Sequence, residues 1–472
     1  MKLVIFLHLF LLAFICNSNA NGSQGKQKYN FLFIFVDDQG WSGTSVPMLP
    51  GENATRTPGF QMPNLEKMAK FGMVFSQAYA GHPKCECSRA SLLMGMSTTS
   101  LNATDKNANN WNAGVGDSIA NTLKKVDPAY KAAHFGKWQW RKTPESMGFD
   151  ASDGITMNED GDSNDPDDPK QSFGITRRAI NYMNQQVKSG NPFYLQLSYY
   201  AVHSQPQALA ATLKKYQSDQ SRNQPVGKGA RGGGAVMAAM TEDLDTCIGK
   251  LMNELDKIGI AENTYVIYMA DNGMNSSRLK GGKTVLDEGG IRVPLIVKGP
   301  GVVIGQYCNV PVIGYDLFPT VIDIVNSAAK LPVGVEGGSW RPLFADVNGT
   351  VSRPVNRLVW HHDVEIQHPQ TAIRIGNYKL LHYWDTKENF LYDMSKDIGE
   401  TTNLADSEKD RAGSMLADLR AHVRQGLGES KYNQLESGKI TGSARGGADR
   451  DQQKKSGRDP AKKKARAKND KE

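Results

Sequence analysis

Phe31-Leu32-Phe33-Ile34-Phe35-Val36-Asp37-Asp38 is a continuous apolar run that ends on two carboxylates. A strand with one wet face alternates apolar and polar residues. A run apolar at every position predicts a strand covered on both faces, the central strand of a parallel sheet. Similar runs occur at 193–197 and at Tyr265-Val266-Ile267-Tyr268-Met269, the second ending at Asp271-Asn272. Helical signals lie between them. Residues 63–71 carry proline in the first turn, and residues 172–187 have helical period. Over 236–255, Met237, Met240, Leu244, Ile248, Leu251 and Leu255 recur at helical spacing. Alternating strands and helices predict an α/β fold, a large mixed, mostly parallel sheet sandwiched by helices. Polar residues just past the carboxyl ends of strands stand where open α/β sheets bind ligands.

The texture changes after Val325. Leu358-Val359-Trp360, residues 372–375, 379–382 and 390–392 read as short strands with turns between them, followed by a helix over 407–424. This predicts a smaller C-terminal antiparallel sheet packed by a helix, at 351–430, after a main domain at 21–350. Before them, Met1-Lys2, the apolar stretch 3–15 and the small residues Ser18 and Ala20 read as a signal peptide, residues 1–20, cleaved after Ala20. Phe14-Ile15 are too bulky for Cys16 to anchor a lipoprotein. No later run approaches the roughly 18 apolar residues of a membrane span, so none is expected.

The chain of 472 residues has a formal charge of +7. Ten Lys/Arg and four Asp/Glu at 450–472 account for six of those charges and Lys2 for the seventh, so the body is near neutral. The basic tail, 431–472, with Lys462-Lys463-Lys464, has the composition of disorder. An exported chain rarely meets nucleic acid, so a solvated tail with weak attraction to anionic polysaccharide or membrane surface is expected instead. Cleavage of the leader leaves Cys85, Cys87, Cys247 and Cys308, too few for a disulfide framework. Cys247 lies in a helical apolar stripe and reads as core; a Cys247–Cys308 bridge stays open. Sequons occur at Asn21, Asn53, Asn102, Asn275 and Asn348. Asp160-Gly161-Asp162-Ser163-Asn164 lacks the glycine and glutamate of a calcium loop and reads as a solvated loop.

The chemistry concentrates at Cys85-Glu86-Cys87-Ser88-Arg89-Ala90-Ser91-Leu92-Leu93-Met94-Gly95. A helix starting near Cys85 would aim backbone N–H groups and a positive dipole end at an anion, with Arg89 on the same face. Taken alone, the same run fits a buried cysteine at a helix start. The run resembles the Cys-x-Pro-x-Arg signature of type I sulfatases, in the alkaline-phosphatase-like superfamily. There a maturation enzyme oxidises the cysteine to formylglycine, whose hydrate attacks sulfur. Cys87 stands here in place of the proline.

The resemblance extends over about 31–424 and implies the rest of a site. Asp37-Asp38-Gln39-Gly40-Trp41 and Asp271-Asn272-Gly273 are similar to the two metal pairs, so Asp37, Asp38, Asp271 and Asn272, with the modified Cys85, would hold one calcium ion. Gly281-Gly282-Lys283-Thr284-Val285-Leu286-Asp287-Glu288-Gly289-Gly290-Ile291-Arg292-Val293-Pro294 is similar to a second long signature and makes Lys283 a sulfate-binding residue. Gly136-Lys137-Trp138 does the same for Lys137. His203 matches the histidine that protonates the leaving group, and Arg89 the cation that holds the hydrated aldehyde. Gln139 stands where the family has a histidine that contacts formylglycine and helps break the sulfated intermediate. Glutamine cannot take a proton near neutral pH. His361-His362 occupy a place from which the smaller domain presents sugar- or sulfate-binding residues. The implied protein is an exported, calcium-dependent sulfatase acting on a sulfated carbohydrate, periplasmic, secreted or in a lysosomal-type compartment. Its rivals are a phosphonate or phosphodiester hydrolase of the same superfamily and a noncatalytic polysaccharide-binding relative.

Overall fold

A computed structural model describes residues 27–102, 117–140, 142–218, 234–275, 278–363 and 366–440. The expected signal peptide and the Lys-rich part of the tail lie outside the described residues. Strand Asn30–Val36 is buried at every position and takes a central place in an eight-stranded sheet, as a run with no polar face requires. It pairs parallel with Phe193–Ser198 on one side and with Thr264–Ala270 on the other. Lys131–Gly136 and Ala151–Ser152 continue the parallel array beyond Phe193–Ser198. Beyond Thr264–Ala270 the sheet turns mixed. Leu295–Lys298 runs antiparallel to Thr264–Ala270 and to Met73–Phe75, and Gln306–Cys308 is parallel to the latter. Five neighbouring strands thus point the same way, and from four of them Asp37, Lys137, Tyr199 and Asp271 leave the sheet at one edge.

Helices Pro63–Lys70, Ser172–Ser189 and Ala235–Lys257 pack together as one group, and Cys85–Met94, Ile119–Val126 and Leu317–Val325 as another. The smaller part is an antiparallel sheet in the order Leu358–His362, Gln370–Ile375, Tyr378–Tyr383, Asn389–Asp393. Alternation gives each strand two uses. Val359, Ile373, Leu380 and Leu391 pack on Met415, Leu419 and Val423 of helix Lys409–Leu427. The opposite face, with Trp360, Ala372 and Leu381, packs on Tyr79, Leu286, Ile291 and Tyr315 of the larger part.

Packed structure continues beyond residue 430, where the charge pattern places the end of the smaller part. Helix Glu429–Glu436 adds Tyr432 and Leu435 to the smaller core. Two apolar residues three positions apart are enough to dock one helical face, and a reading by charge passes over them. Cys247 and Cys308 are separate buried thiols, so the bridge left open above does not form. The acidic loop is satisfied locally: Asp160 accepts from Met157 N–H, Asp162 pairs with Lys170, and Asp168 accepts from the Phe173 and Gly174 N–H groups.

Candidate active site

Asp37 and Asp271 enter the site directly from adjacent strand ends, where Asp271 N–H donates to Val36 O at 3.0 Å. Asp38 follows with φ +60°, a backbone state that costs a non-glycine residue of order 1–3 kcal/mol and is tolerated where function demands it. Ligand atoms of Asp37, Asp38, Asp271 and Cys85 all lie within 4.8 Å of one another, and the four residues are buried. Three cations answer the three carboxylates. Lys137 Nζ pairs with Asp37 Oδ2, Arg89 Nη2 with Asp271 Oδ2 at 2.7 Å, and Lys283 Nζ with Asp38 Oδ1 at 2.6 Å. Asn272 Nδ2 donates to Asp38 Oδ1 at 2.9 Å, while its Oδ1 is buried with no partner among the described residues. Three carboxylates and an orphaned carbonyl oxygen are a hard, all-oxygen donor set that suits calcium or magnesium. Burial first, and then the charge of Asp37, raises the Asp271 carboxyl above its ordinary value in spite of Arg89 and Lys137.

Cys85 is the first residue of helix Cys85–Met94, which Gly95 closes at φ +68° with its N–H on Leu92 O. Its Sγ lies 3.4 Å from Asp37 Oδ1 and 3.3 Å from Lys283 Nζ. Burial, then Asp37, pushes this thiol well above the usual range. An unmodified Cys85 is therefore a poor thiolate nucleophile. Ser88 N–H, on Lys84 O at 3.1 Å, marks the start of the helical ladder. Residue 87 sits in the first turn, where a missing N–H disrupts no helical bond, so the helix backbone itself accepts either proline or cysteine there.

Gly136, at φ +96°, lets the chain leave its strand against Ser198; a Cβ would lie 2.1 Å from Ser198 O. Lys137 then turns inward and is fully buried, and its carbonyl accepts from Arg89 Nη1 at 2.9 Å. Burial works against both lysine charges. Asp37 beside Lys137, and Cys85 and Asp38 beside Lys283, more than offset it and hold both above the ordinary lysine range.

A family model described as sulfatase matches residues 29–327, and one described as N-sulphoglucosamine sulphohydrolase, C-terminal, matches residues 282–426. The chain belongs to the sulfatase family. Its reaction class is sulfuric ester hydrolysis. A sulfatase of Formosa agariphila is 27% identical, over 85% of this chain and 89% of that protein. N-acetylgalactosamine-6-sulfatase of Mus musculus is 27% identical over 67% and 68% of the two chains. Among solved structures, Ps i-CgsB in complex with k-i-k-neocarrahexaose superposes with a TM-score of 0.69 at 23% identity, covering 87% of this chain and 97% of its own. That likeness bears on the fold.

Other expected residues of this sulfatase fall in different places. His203 is partly exposed, with Nε2 3.7 Å from Asp38 Oδ2 and Nδ1 2.5 Å from Ser204 O. Donation from Nδ1 to that carbonyl turns Nε2 toward the site. Gln139, at φ +66°, donates from its own N–H to Thr156 O at 2.8 Å and from Nε2 to Asn158 Oδ1 at 3.1 Å. Its Oε1 is buried with no partner among the described residues. His361 and His362 are each 2% exposed. The first meets Thr371 Oγ1 at 2.7 Å and the second packs edge-on against His82. Among the described contacts neither ring reaches the carboxylate–lysine cluster. Consecutive residues of one strand point to opposite faces, so the two rings enter different surroundings. Sequence reasoning missed His82, whose Nδ1 accepts from Lys84 N–H at 3.2 Å, and Asn158. Neither carries a local signal; only the fold brings them in. Asn275, the sequon beside the metal pair, is packed against Gly282.

Proposed function

We propose that this sulfatase is exported and removes sulfate esters from a sulfated carbohydrate, using a formylglycine made from Cys85 and one calcium ion held by Asp37, Asp38, Asp271 and Asn272. The observation that carries the reading is the convergence of Lys137, Lys283 and Arg89 on three buried carboxylates beside residue 85. Only Lys283 and His203 of this set have appreciable side-chain exposure, 25% and 18%, so the anion enters between them. When bound, the metal polarises sulfate oxygens, and the modified residue 85 supplies a hydrated aldehyde as nucleophile.

The chain's own residues do the remaining work. Lys137 and Lys283 hold the sulfate oxygens, each contributing on the order of 3 kcal/mol of transition-state stabilisation. Arg89, tied to Asp271 and Lys137 O, fixes the charge behind residue 85. His203 holds a proton at Nε2 for the departing sugar oxygen. Gln139, unable to take a proton, orients its neighbours by hydrogen bonding. The carbohydrate reading is supported by relatives such as N-acetylgalactosamine-6-sulfatase, and export by the leader. A formylglycine-generating enzyme is the required maturation partner. None of the helices among the described residues is long and apolar enough to cross a membrane.

The test is sulfate release from a panel of defined sulfated oligosaccharides by protein whose modification at residue 85 has been verified by mass. Turnover of sulfated sugars, lost in excess chelator and in Asp271→Ala with the metal absent by elemental analysis, is expected. Faster cleavage of phosphate than sulfate esters would place the protein with the phosphonate and phosphodiester hydrolases. Absence of any release would make it a binding protein.

A further inference from the structure

Lys283 reaches the carboxylate cluster from a segment that has little means of holding its own shape. Residues 281–290 contain Gly281, Gly282, Gly289 and Gly290. Thr284, beside Lys283, sits at φ +83°, a state that an L-residue rarely adopts unaided. Glycines bring much backbone entropy and no side chains with which to offset it. What grips the loop from outside therefore decides where Lys283 stands.

On one side the grip is the start of the nucleophile helix, where Thr284 N–H donates to Pro83 O at 3.0 Å. On the other side it is the smaller sheet. Leu286 N–H donates to Gln370 Oε1 at 2.8 Å, and Lys280 Nζ to Tyr392 OH at 3.1 Å. Leu286 and Ile291 pack among Trp360, Ala372 and Leu381.

The firmest tie is ionic and buried. Glu400 Oε2 accepts from Glu288 N–H at 2.7 Å, at the start of the short helix that ends the loop. Lys379 Nζ is shared between Glu400 Oε1 at 2.8 Å and Glu288 Oε1 at 3.0 Å. Glu288 also accepts from Arg292 Nη1 at 3.1 Å and Tyr79 OH at 2.8 Å. Glu288 and Lys379 are fully buried, and Glu400 is 3% exposed. Desolvation offsets most of the attraction in such a cluster, so its net stabilisation is small. Its geometry, however, is demanding: each carboxylate oxygen has its own donor. Glu400 accepts it at φ +54°, strained in the same manner as Thr284.

We propose that Glu400 is a positioning residue for sulfate binding: through Lys379 and the Glu288 N–H it lets the smaller sheet hold the glycine-rich loop so that Lys283 stays over the carboxylates. The inference rests on Lys283 being a sulfate-binding residue, as proposed above. Through this tie the smaller sheet acts on catalysis from a distance.

A double-mutant cycle on the full chain tests it, with residue 85 modification verified by mass in every protein and kcat/KM measured on a sulfate ester. Glu400→Gln keeps the shape and removes the charge that binds Lys379. It should lower kcat/KM about tenfold, since small misplacements of a binding group are costly. In a Lys283→Ala background the same change should cost less than about twofold, because a residue acting through Lys283 has nothing left to act on. Equal losses in the two backgrounds, or no loss in the first, overturn the proposal. Titration with inorganic sulfate gives a readout that needs no turnover; there Glu400→Gln should weaken binding about tenfold, and unchanged binding overturns it. If Glu400→Gln does not fold, Gln370→Met cuts the Leu286 tie, along with a bond from Gln370 Nε2 to His368 O inside the smaller part, and carries the same expectations for that sheet's hold on the loop. Lys283→Ala alone separates the two readings. If it leaves kcat/KM unchanged, the sulfate-binding role of Lys283 fails; if it lowers kcat/KM but shows no coupling, only the role of Glu400 fails.

Discussion

Cys85 and Cys87 stand two residues apart at the start of one helix, yet only Cys85 places its sulfur among the site carboxylates, 3.4 Å from Asp37 Oδ1. Two residues in an α-helix are about 200° apart around the axis, so the second sulfur points elsewhere. Cys87 is completely buried, and burial followed by Glu86 pushes its thiol upward. Peptide mass spectrometry should therefore find formylglycine at residue 85 and an intact thiol at 87, and Cys85→Ala should abolish turnover; modification at 87 would reverse the assignment. Gln139 is the other informative residue. Its Nε2 is committed to Asn158 Oδ1 while Oε1 has no partner among the described residues. Gln139→Ala should raise the barrier by roughly 1–3 kcal/mol through loss of a buried hydrogen bond, and Gln139→His should be tolerated. Rates of verified protein decide this, and an unchanged rate in Gln139→Ala would leave the side chain without a role in turnover.

At the scale of elements, the site is an edge effect of parallel strands. Asn30–Val36, Lys131–Gly136 and Thr264–Ala270 run the same way, so their ends deliver Asp37, Lys137 and Asp271 to one place. The two runs apolar on both faces at the first and last of these were legible. Lys131–Gly136 was not, because Ala132-Ala133-His134 has neither β-branched residues nor alternation. Met73–Phe75 is too short to show a period, and its antiparallel neighbour Leu295–Lys298 is placed by tertiary pairing. The exit from Lys131–Gly136 depends on Gly136. Gly136→Ala should destabilise the fold by at least about 1–3 kcal/mol, the cost of a strained backbone, before the clash with Ser198 O is added. It should also displace Lys137. Denaturant unfolding and kcat/KM should fall together; an unchanged midpoint would show that the strand end relaxes freely.

Across the whole molecule, burial of neutral histidines makes stability depend on pH. His134, beneath the site, is lowered from 6.5 to about 3 by burial and then by Arg89, and His82 is lowered to about 3 by burial and then Lys84. Above 6.5 both are neutral folded and unfolded, and the stability is fully present. As pH falls from 6.5 toward 3 the unfolded chain binds protons that the folded chain refuses, so stability is lost. Each histidine contributes a slope of about 1.4 kcal/mol per pH unit within that window. Denaturant unfolding from above 6.5 down toward roughly 5 should show this loss, and His134→Gln should remove about half of the slope that the two residues supply. A slope unchanged by His134→Gln would contradict the buried, neutral state of that histidine.

What the sequence by itself determined was whatever local pattern can carry. Runs apolar on both faces dictated a covered, mostly parallel sheet, short strand-like runs with turns between them dictated the smaller sheet, and short motifs marked Asp37, Asp38, Cys85, Arg89, Lys137, Asp271 and Lys283, which the fold brings together. Residues joined only between separate elements were decided by the tertiary structure. Asn158 comes to Gln139, His82 to His362, and Gln370 and Glu400 to the loop of Lys283. The same holds for the burial of His361 and His362, since a strand's pattern does not say whether its outer face meets solvent or another domain. Periodicity reports one element against an average environment; a partner supplied by another element becomes visible only when the chain has folded.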